Sequence, residues 1–189
     1  MNFKDLAPFE LRTWQKEAIK RTTRPYPGIF LEAAGGRGKT IASLAIAKFK
    51  KSKTILVLNN QLSILKGWEK SFSDMQFDND VKIMCITGKK LQNLLKLSKS
   101  GKFKVDLLII DEWQNMSSDN LIKAYAKINA KYTIGLSATP MRRAGQNFYG
   151  LEKTLWGKAN PNTIFNWRSK HGILVEDRFS YSKYKWTEF

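Results

Sequence analysis

The chain has 189 residues, of which 42% are hydrophobic and 12% aromatic, so it is large and apolar enough to bury a core as one compact domain. Its 33 Lys and Arg outnumber 16 Asp and Glu, and the formal net charge of +17 favours a polyanionic partner, although lysines scattered over a solvated surface give the same charge. No apolar run approaches the roughly 20 residues of a membrane span, and one Cys and one His exclude a disulfide framework and a zinc cluster.

Short apolar runs rich in β-branched residues alternate with stretches of helical period along most of the chain. This alternation predicts an α/β fold, with a parallel sheet covered by helices on both faces. The predicted elements are a helix at 11–20, a strand at 28–32, a helix at 39–50, a strand at 54–58, a helix at 61–72, a strand at 81–87, a helix at 90–97, a strand at 105–110, a helix at 120–129 and a strand at 132–136. We expect Cys85 to be a strand residue without special reactivity, and after Pro140 the alternation stops.

A glycine-rich segment at residues 33–40, AAGGRGKT, joins the first predicted strand to the helix at 39–50, which is the setting of a phosphate-binding P-loop. Glycines let backbone N–H groups turn toward phosphate oxygens, and the start of the helix adds the positive end of its dipole. Lys39 then reaches the β- and γ-phosphates, and the Thr40 hydroxyl binds Mg²⁺. The strict pattern begins with Gly where this chain has Ala33, and a turn without a ligand is the alternative. The predicted ATP-binding residues of the segment are Gly35, Gly36, Arg37, Gly38, Lys39 and Thr40.

Two adjacent acids, Asp111 and Glu112, follow the apolar run at 107–110. Asp111 is predicted to hold Mg²⁺ together with Thr40, directly or through water. Glu112 is suited to polarising an attacking water, because a carboxylate near pH 7 can accept the proton that the water releases. An acidic pair after an apolar run is common by itself, but together with the P-loop it predicts a site for phosphoryl transfer from ATP.

The run Asp111-Glu112-Trp113-Gln114 resembles the DExx box of the superfamily 2 helicases and translocases. The resemblance implies a RecA-like P-loop NTPase domain and adds Gln114 to the residues of the site. The catalytic residues that it implies are Lys39, Asp111, Glu112 and Gln114. Two further motifs, one upstream of the P-loop and one at the end of the last predicted strand, agree with the resemblance and occur in the order of the family.

The upstream motif is LRTWQ at 11–15, which resembles the LRxxQ motif of the family. It implies that Gln15 recognises adenine, since an amide both donates to and accepts from the base, and that Arg12 assists. Without the resemblance, the run is typical of the start of an amphipathic helix. The later motif is GLSATP at 135–140, which resembles the SAT motif and implies that Ser137 and Thr139 link the DExx box to movement between lobes.

Two other likenesses lie between the P-loop and the DExx box. Asn59 and Asn60 occupy the place where motif Ia of the family has a Pro-Thr or similar pair, and Trp68 follows where a QW-like helix is typical. The run TGKK at 87–90 resembles the TG motif, which contacts nucleic-acid phosphates, although a solvated turn explains it nearly as well. The residues that this likeness implies for nucleic-acid contact are Thr87, Gly88, Lys89 and Lys90.

The resemblance covers roughly residues 9–145, so we predict a RecA-like ATP-binding lobe at 1–145 and a helical, aromatic and basic extension at 146–189. The chain from Phe148 onward is similar to the insertion of chromatin-remodeller-type (SWI/SNF-like) translocases. The run at 179–186 alternates aromatic and basic residues, which is typical either of base stacking or of a buried strand face. The 49 residues at 141–189 are too few for a second lobe, so we expect that lobe, or a partner protein, to complete the site.

In the family, the second lobe carries an arginine finger that stabilises charge on the transferring phosphoryl group, so we expect weak hydrolysis from this chain alone. Nothing in the sequence assigns that role to any of Arg142, Arg143, Arg168 and Arg178.

The predicted function is an ATP- and Mg²⁺-dependent motor module that moves along nucleic acid or unwinds it, with DNA favoured over RNA as the partner. Two alternatives stay open: a non-catalytic clamp that binds ATP and nucleic acid, and a small P-loop kinase, in which Gln15 and the SAT motif have no role. The single histidine, His171, has no recognisable partner for Ser-His-Asp chemistry. With neither an export signal nor an apolar span, we expect a protein that meets DNA inside the cell, and the Lys- and Asn-rich composition is typical of a low-GC bacterial or phage source.

Overall fold

The computed structural model describes residues 2–23, 28–97, 103–115, 121, 124–125, 127–138 and 173–175. The described strands are β1 Gly28–Glu32, β2 Thr54–Leu58, β3 Lys82–Ile86, β4 Phe103–Asp111, β5 Ile128–Ser137 and β6 Ile173–Val175. The described α-helices are α1 Thr13–Arg21, α2 Lys39–Phe49, α3 Leu62–Asp74 and α4 Gly88–Leu97. Two short 3-10 helices occupy Phe3–Leu6 and Trp113–Asn115.

The six described strands form one parallel sheet in the order β3-β2-β4-β5-β1-β6. Parallel neighbours need long crossover connections, and α2, α3 and α4 lie in three of these connections. The α/β prediction is therefore confirmed, and β1 and β2 have the bounds that the sequence predicts. The predicted start of α2 at residue 39 is also confirmed.

Two predictions about the second half of the sheet were wrong. The predicted helix at 120–129 runs too far, because β5 already begins at Ile128, while the described helical residues before it are Leu121, Ala124 and Tyr125. The chain at 128–131 alternates partly buried with exposed side chains, which is the period of a strand rather than of a helix. In addition, the structure has a strand, β6, that the sequence did not predict, since three apolar residues are too few to show a period.

Both faces of the sheet are covered, because successive side chains of a strand point to opposite sides. In β1, Ile29 and Leu31 join a core with α1, α2 and α3, whereas Phe30 joins a second core with α4 and Tyr125. Completely or almost completely buried side chains fill both cores, and β2, which lies between β3 and β4, is buried from Ile55 to Leu58. None of the helices in the described part of the chain combines the length and apolar character that a membrane crossing requires.

The carboxyl ends of β1, β5 and β4 lie side by side, since Glu32 pairs with Ser137 and Asp111 pairs with Leu136. Ligands of open parallel sheets bind beyond these strand ends. The topology therefore brings the P-loop, the end of β5 and the acidic pair together at the carboxyl end of the sheet.

Cys85 lies in β3, at one edge of the sheet, as a free and partly buried thiol. The prediction that it is a strand residue is confirmed. Burial raises the pKa of its thiol to about 12, and the negative charge of Glu69 acts in the same direction. The thiol is therefore protonated at neutral pH.

Asp106 of β4 ties together three strands. Its carboxylate accepts hydrogen bonds from the Lys53 and Thr54 backbone N–H groups, each at 2.9 Å, and from the Lys131 ammonium of β5, at 2.7 Å. The Lys131 hydrogen bond, with those from Thr54 and Lys53, holds the pKa of this carboxyl well below its ordinary value. A lowered folded-state pKa stabilises the fold above the unfolded-state pKa of about 3.9, and this contribution declines as the pH falls further.

We expect Asp106→Asn to lower the free energy of unfolding by about 2 kcal/mol at pH 7, because the ionic hydrogen bonds are lost. Urea unfolding at pH 7 and near pH 3 measures this cost, which should shrink at the lower pH, because the carboxyl of the unfolded protein is largely protonated there while that of the folded protein stays ionised. Asp80→Asn serves as the control, since Asp80 pairs with Lys53 on an exposed surface and should cost less than about 1 kcal/mol. Equal costs for the two variants, or a cost that does not depend on pH, would contradict this role of Asp106.

Candidate nucleotide-binding site

The P-loop leaves β1 and enters α2 through two left-handed residues. Gly36 has φ of 71° and Gly38 has φ of 85°, a backbone conformation that residues other than glycine rarely adopt. Gly38 directly precedes the first residue of α2, so the amino-terminal N–H groups of that helix face the loop. Ala33, which replaces the first Gly of the strict pattern, is completely buried, and its N–H donates to the carbonyl of Ser137 at 3.1 Å. The local geometry is that of an anion-binding turn.

Lys39 lies at the centre of this turn. Its Nζ donates hydrogen bonds to the carbonyl oxygens of Ala33, at 2.7 Å, and Ala34, at 3.3 Å. Its positive charge also acts on the carboxylate of Asp111, two strands away in the sheet. The ammonium group that the sequence assigns to phosphate binding thus lies between the loop and the acidic pair.

Gln15 and Arg12 connect α1 to the P-loop. Gln15 is 3% exposed, its Nε2 donates to the carbonyl of Gly38 at 2.9 Å, and its Oε1 accepts from the N–H of Arg12 at 2.8 Å. The Arg12 guanidinium donates to the carbonyl of Arg37 at 3.2 Å. The sequence did not predict this support of the loop. Each Gln15 amide atom has one further hydrogen-bonding position, so recognition of adenine stays a prediction.

Asp111 ends β4 and is 7% exposed. Its Oδ2 accepts a hydrogen bond from the Trp68 indole at 2.9 Å, and its Oδ1 accepts one from the Glu112 N–H at 3.0 Å. Burial raises the pKa of the Asp111 carboxyl above its ordinary value, whereas the Trp68 hydrogen bond and the Lys39 charge act in the opposite direction. Its main-chain carbonyl also accepts from the Asn59 side chain, at 3.4 Å.

Glu112 has a positive φ of 50°, which is uncommon for a residue with a side chain. The next residue, Trp113, is 2% exposed and stacks on Phe30 of β1, with ring centroids 4.7 Å apart and planes inclined by 25°. A Cβ atom on Gly135 of β5 would collide with the Phe30 ring, so the absence of a side chain there makes room for this stack. The sequence did not predict the contact, because Phe30 lies in β1, Gly135 lies in β5 and Trp113 lies in the 3-10 helix after β4.

The donor set at the strand ends fits Mg²⁺. This ion is commonly held by one or two carboxylates together with substrate phosphates and water, rather than by a cage made only of protein groups. Asp111 has a second lone pair on each carboxylate oxygen, and Thr40 supplies a hydroxyl in the first turn of α2. The described residues contain no cluster of three or more His, Cys, Asp or Glu side chains able to hold a metal.

Other predicted residues lie farther from the loop or outside the described residues. Thr87 precedes α4, where its hydroxyl accepts from the N–H of Lys90 at 3.3 Å, and Lys89 and Lys90 are exposed. Because β3 is separated from β1 by β2, β4 and β5, this basic turn lies apart from the P-loop. Predicted features outside the described residues are Thr139, the Gln114 side chain, Arg142, Arg143, Arg168, Arg178, His171, the insertion-like segment from Phe148 and the run at 179–186.

Comparison with known proteins identifies a family and several similar folds. A family model described as "Type III restriction enzyme, res subunit" (ResIII) matches residues 8–142. The SWI2/SNF2 ATPase core of Sulfolobus solfataricus in complex with dsDNA is 21% identical with a TM-score of 0.68, over 89% of this chain and 44% of that one. Another structure of that ATPase core domain is 21% identical with a TM-score of 0.68, over 95% of this chain and 47% of that one.

The Hef helicase domain of Pyrococcus furiosus is 15% identical with a TM-score of 0.64, over 88% of this chain and 38% of that one. The chain thus spans less than half of each of these structures, and at these identities the likeness is one of fold. No curated protein matches the sequence. The chain belongs to the ResIII family, and its fold is that of the first RecA-like lobe of superfamily 2 helicases.

Proposed function

We propose that this chain is the ATP-binding lobe of a DNA-dependent ATPase that couples ATP hydrolysis to unwinding DNA or to movement along it. The observation that carries the proposal is that the P-loop and the acidic pair lie at the carboxyl ends of β1 and β4, on either side of β5, where the Lys39 charge acts on the Asp111 carboxylate. The ResIII family match and the similar folds of an SWI2/SNF2 ATPase core and a Hef helicase domain support it.

The proposed ATP site draws on the P-loop and α1. The backbone N–H groups of residues 35–38 and the Lys39 ammonium bind the phosphates, because they supply positive charge and donors around one turn. Gln15 recognises adenine through the hydrogen-bonding positions that remain on its amide. Arg12, whose guanidinium donates to the carbonyl of Arg37 in the loop, assists it.

The proposed hydrolytic groups are the acids after β4. Thr40 and Asp111 would hold Mg²⁺, which neutralises charge on the phosphates when it is bound. Glu112 accepts the proton of the attacking water, and its backbone position, directly after a fixed Asp111, limits where its carboxylate can lie. Gln114 is proposed as a further catalytic residue on the resemblance to the DExx box.

DNA is the proposed polymer. The net charge of +17 supplies a strong attraction for phosphates, and exposed Lys89 and Lys90 lie in the first turn of α4, near the positive end of the helix dipole. The Sulfolobus SWI2/SNF2 structure contains dsDNA, and we extend that partner to this chain. Ser137, whose carbonyl is bonded to the P-loop, and Thr139 are proposed to couple nucleotide state to lobe movement.

A second RecA-like lobe, on the same polypeptide or on a partner, is proposed to complete the site, because the similar structures are more than twice as long as the matched part. Residues 1–145, together with β6, then form the ATP-binding lobe, and the rest of 146–189 leads toward the second one. We also propose an SWI/SNF-like subfamily and a DNA-associated location inside the cell. One alternative stays open, a clamp that binds ATP and DNA without turnover.

ATP turnover measured with and without single-stranded DNA, duplex DNA and RNA tests the proposal. Stimulation by DNA should be severalfold, and it should disappear in the Lys39→Ala protein. If only RNA stimulates turnover, the substrate is RNA and not DNA. A different result is that the chain binds ATP through Lys39 while no polymer raises turnover, even after a second lobe is added. That result would reject the motor function in favour of the clamp that binds ATP and DNA without turnover.

A further inference from the structure

The indole of Trp68 makes a buried polar contact with Asp111 that packing alone does not require. Trp68 lies in the middle of α3 and is 1% exposed, and its Nε1 donates to Asp111 Oδ2 at 2.9 Å, across 43 residues of sequence. An indole has a single donor, so the bond uses its whole hydrogen-bonding capacity. Trp14 provides a comparison within the described chain, since its buried Nε1 has no hydrogen-bond partner.

The carboxylate of Asp111 is held at both oxygens. Trp68 bonds to Oδ2 and the Glu112 N–H bonds to Oδ1, so rotation about the side-chain bonds would break one or both contacts. Asn59 holds the same residue through its main-chain carbonyl. Each oxygen has a second lone pair, to which no hydrogen bond is seen from the described part of the chain, and this lone pair can bind a ligand. The orientation of that lone pair is therefore fixed by α3 and by the chain after β4.

We propose that Trp68 is a positioning residue, whose indole orients the Asp111 carboxylate toward the metal ion of a metal–nucleotide complex. This inference rests on the proposed function, because it needs such a complex at the P-loop. Buried donors that orient metal-binding groups typically change metal affinity by about 10–100-fold when they are removed. The contact also explains why a tryptophan, rather than another large apolar residue, occupies this position of α3.

The test compares Trp68→Phe with Trp14→Phe. Phenylalanine keeps an aromatic ring and removes the N–H. Both changes are made in a protein that also carries Gly67→Ala, which should raise the stability of the fold, because an alanine there meets open space and favours the helix. Binding of Mn²⁺ to the chain in the presence of ATP is measured by electron paramagnetic resonance. Binding of ATP without a divalent ion is measured by calorimetry, and urea unfolding reports stability.

Trp68→Phe should lower the affinity for Mn²⁺ in the presence of ATP by about tenfold or more. Its affinity for ATP without metal should stay within about twofold, since no phosphate-binding group of the loop is altered. In Trp14→Phe, the ratio of the two affinities should equal that of the parent. In a protein that already carries Asp111→Ala, Trp68→Phe should not lower the affinity for Mn²⁺ any further.

An unchanged Mn²⁺ affinity, or equal losses of metal and metal-free ATP binding, would overturn the positioning role. If Trp68→Phe does not fold, the assigned indole N–H resonance of Trp68 in the parent protein decides instead. The chemical shift of this resonance should change when Mg²⁺ is added to the ATP complex. An unchanged chemical shift would overturn the proposal. Failure of the proposed function is distinct, because the parent protein itself would then not bind Mn²⁺ with ATP.

Discussion

ATP turnover by the Glu112→Gln protein is expected to fall by at least about 100-fold, while its affinity for ATP stays close to that of the wild type. Glutamine has nearly the shape of glutamate but cannot accept the proton of the attacking water. The backbone of Glu112 is held in a left-handed conformation beside a fixed Asp111, so the amide should occupy the same place as the carboxylate. The change therefore removes a chemical step and preserves the binding surface.

Lys39→Ala is the contrasting variant, since it should weaken ATP binding by removing the ammonium group beside the P-loop carbonyls. Because one lobe alone is expected to turn over slowly, hydrolysis is followed under single-turnover conditions, with the chain in excess over labelled ATP, and binding is followed by calorimetry. Turnover by Glu112→Gln within about threefold of the wild type would exclude Glu112 as the principal proton acceptor.

Gly135→Ala is expected to lower the free energy of unfolding by about 2–3 kcal/mol, a large effect for the addition of one methyl group. The new Cβ would collide with the ring of Phe30, which is 3% exposed and stacked on Trp113. With backbone on one side and a stacked ring on the other, Phe30 has little space into which it can move. The collision should therefore be relieved only by moving Trp113, which follows directly after Glu112.

Gly67→Ala in α3 is the matched control, because its added methyl group meets open space and should raise stability by about 0.5–1 kcal/mol. Urea unfolding of both proteins measures the difference. In a Phe30→Ala background, Gly135→Ala should cost less than about 1 kcal/mol, since the colliding ring is gone. A Gly135→Ala protein as stable as Gly67→Ala would show that the stack does not depend on this glycine.

Local sequence patterns predicted the parts of the structure that depend on neighbouring residues. The P-loop needed only its glycines, Lys39 and the strand and helix around them, and β1, β2 and the start of α2 lie where the sequence places them. The start of β5 was missed because the described residues shortly before it, Leu121, Ala124 and Tyr125, are helical, so the helical period gives way to strand alternation within a few positions.

Contacts between distant residues could not be predicted in this way. Gln15 and Gly38 are 23 residues apart, and Trp68 and Asp111 are 43 apart, so no periodicity connects them. A resemblance to motifs gives each residue a role toward a ligand, whereas the structure shows that Gln15 also supports the loop. The motif residues thus stabilise one another before they contact any ligand.

The buried thiol of Cys85 makes the chain convenient for site-specific labelling. Maleimides react with thiolates, and a thiol whose pKa is raised to about 12 provides very few of them at pH 7. A second cysteine introduced at an exposed position, such as Lys70→Cys in α3, should therefore take up a fluorophore selectively while Cys85 stays in place. Energy transfer between that dye and one on a DNA end would then follow the distance between the lobe and the duplex during each ATP cycle.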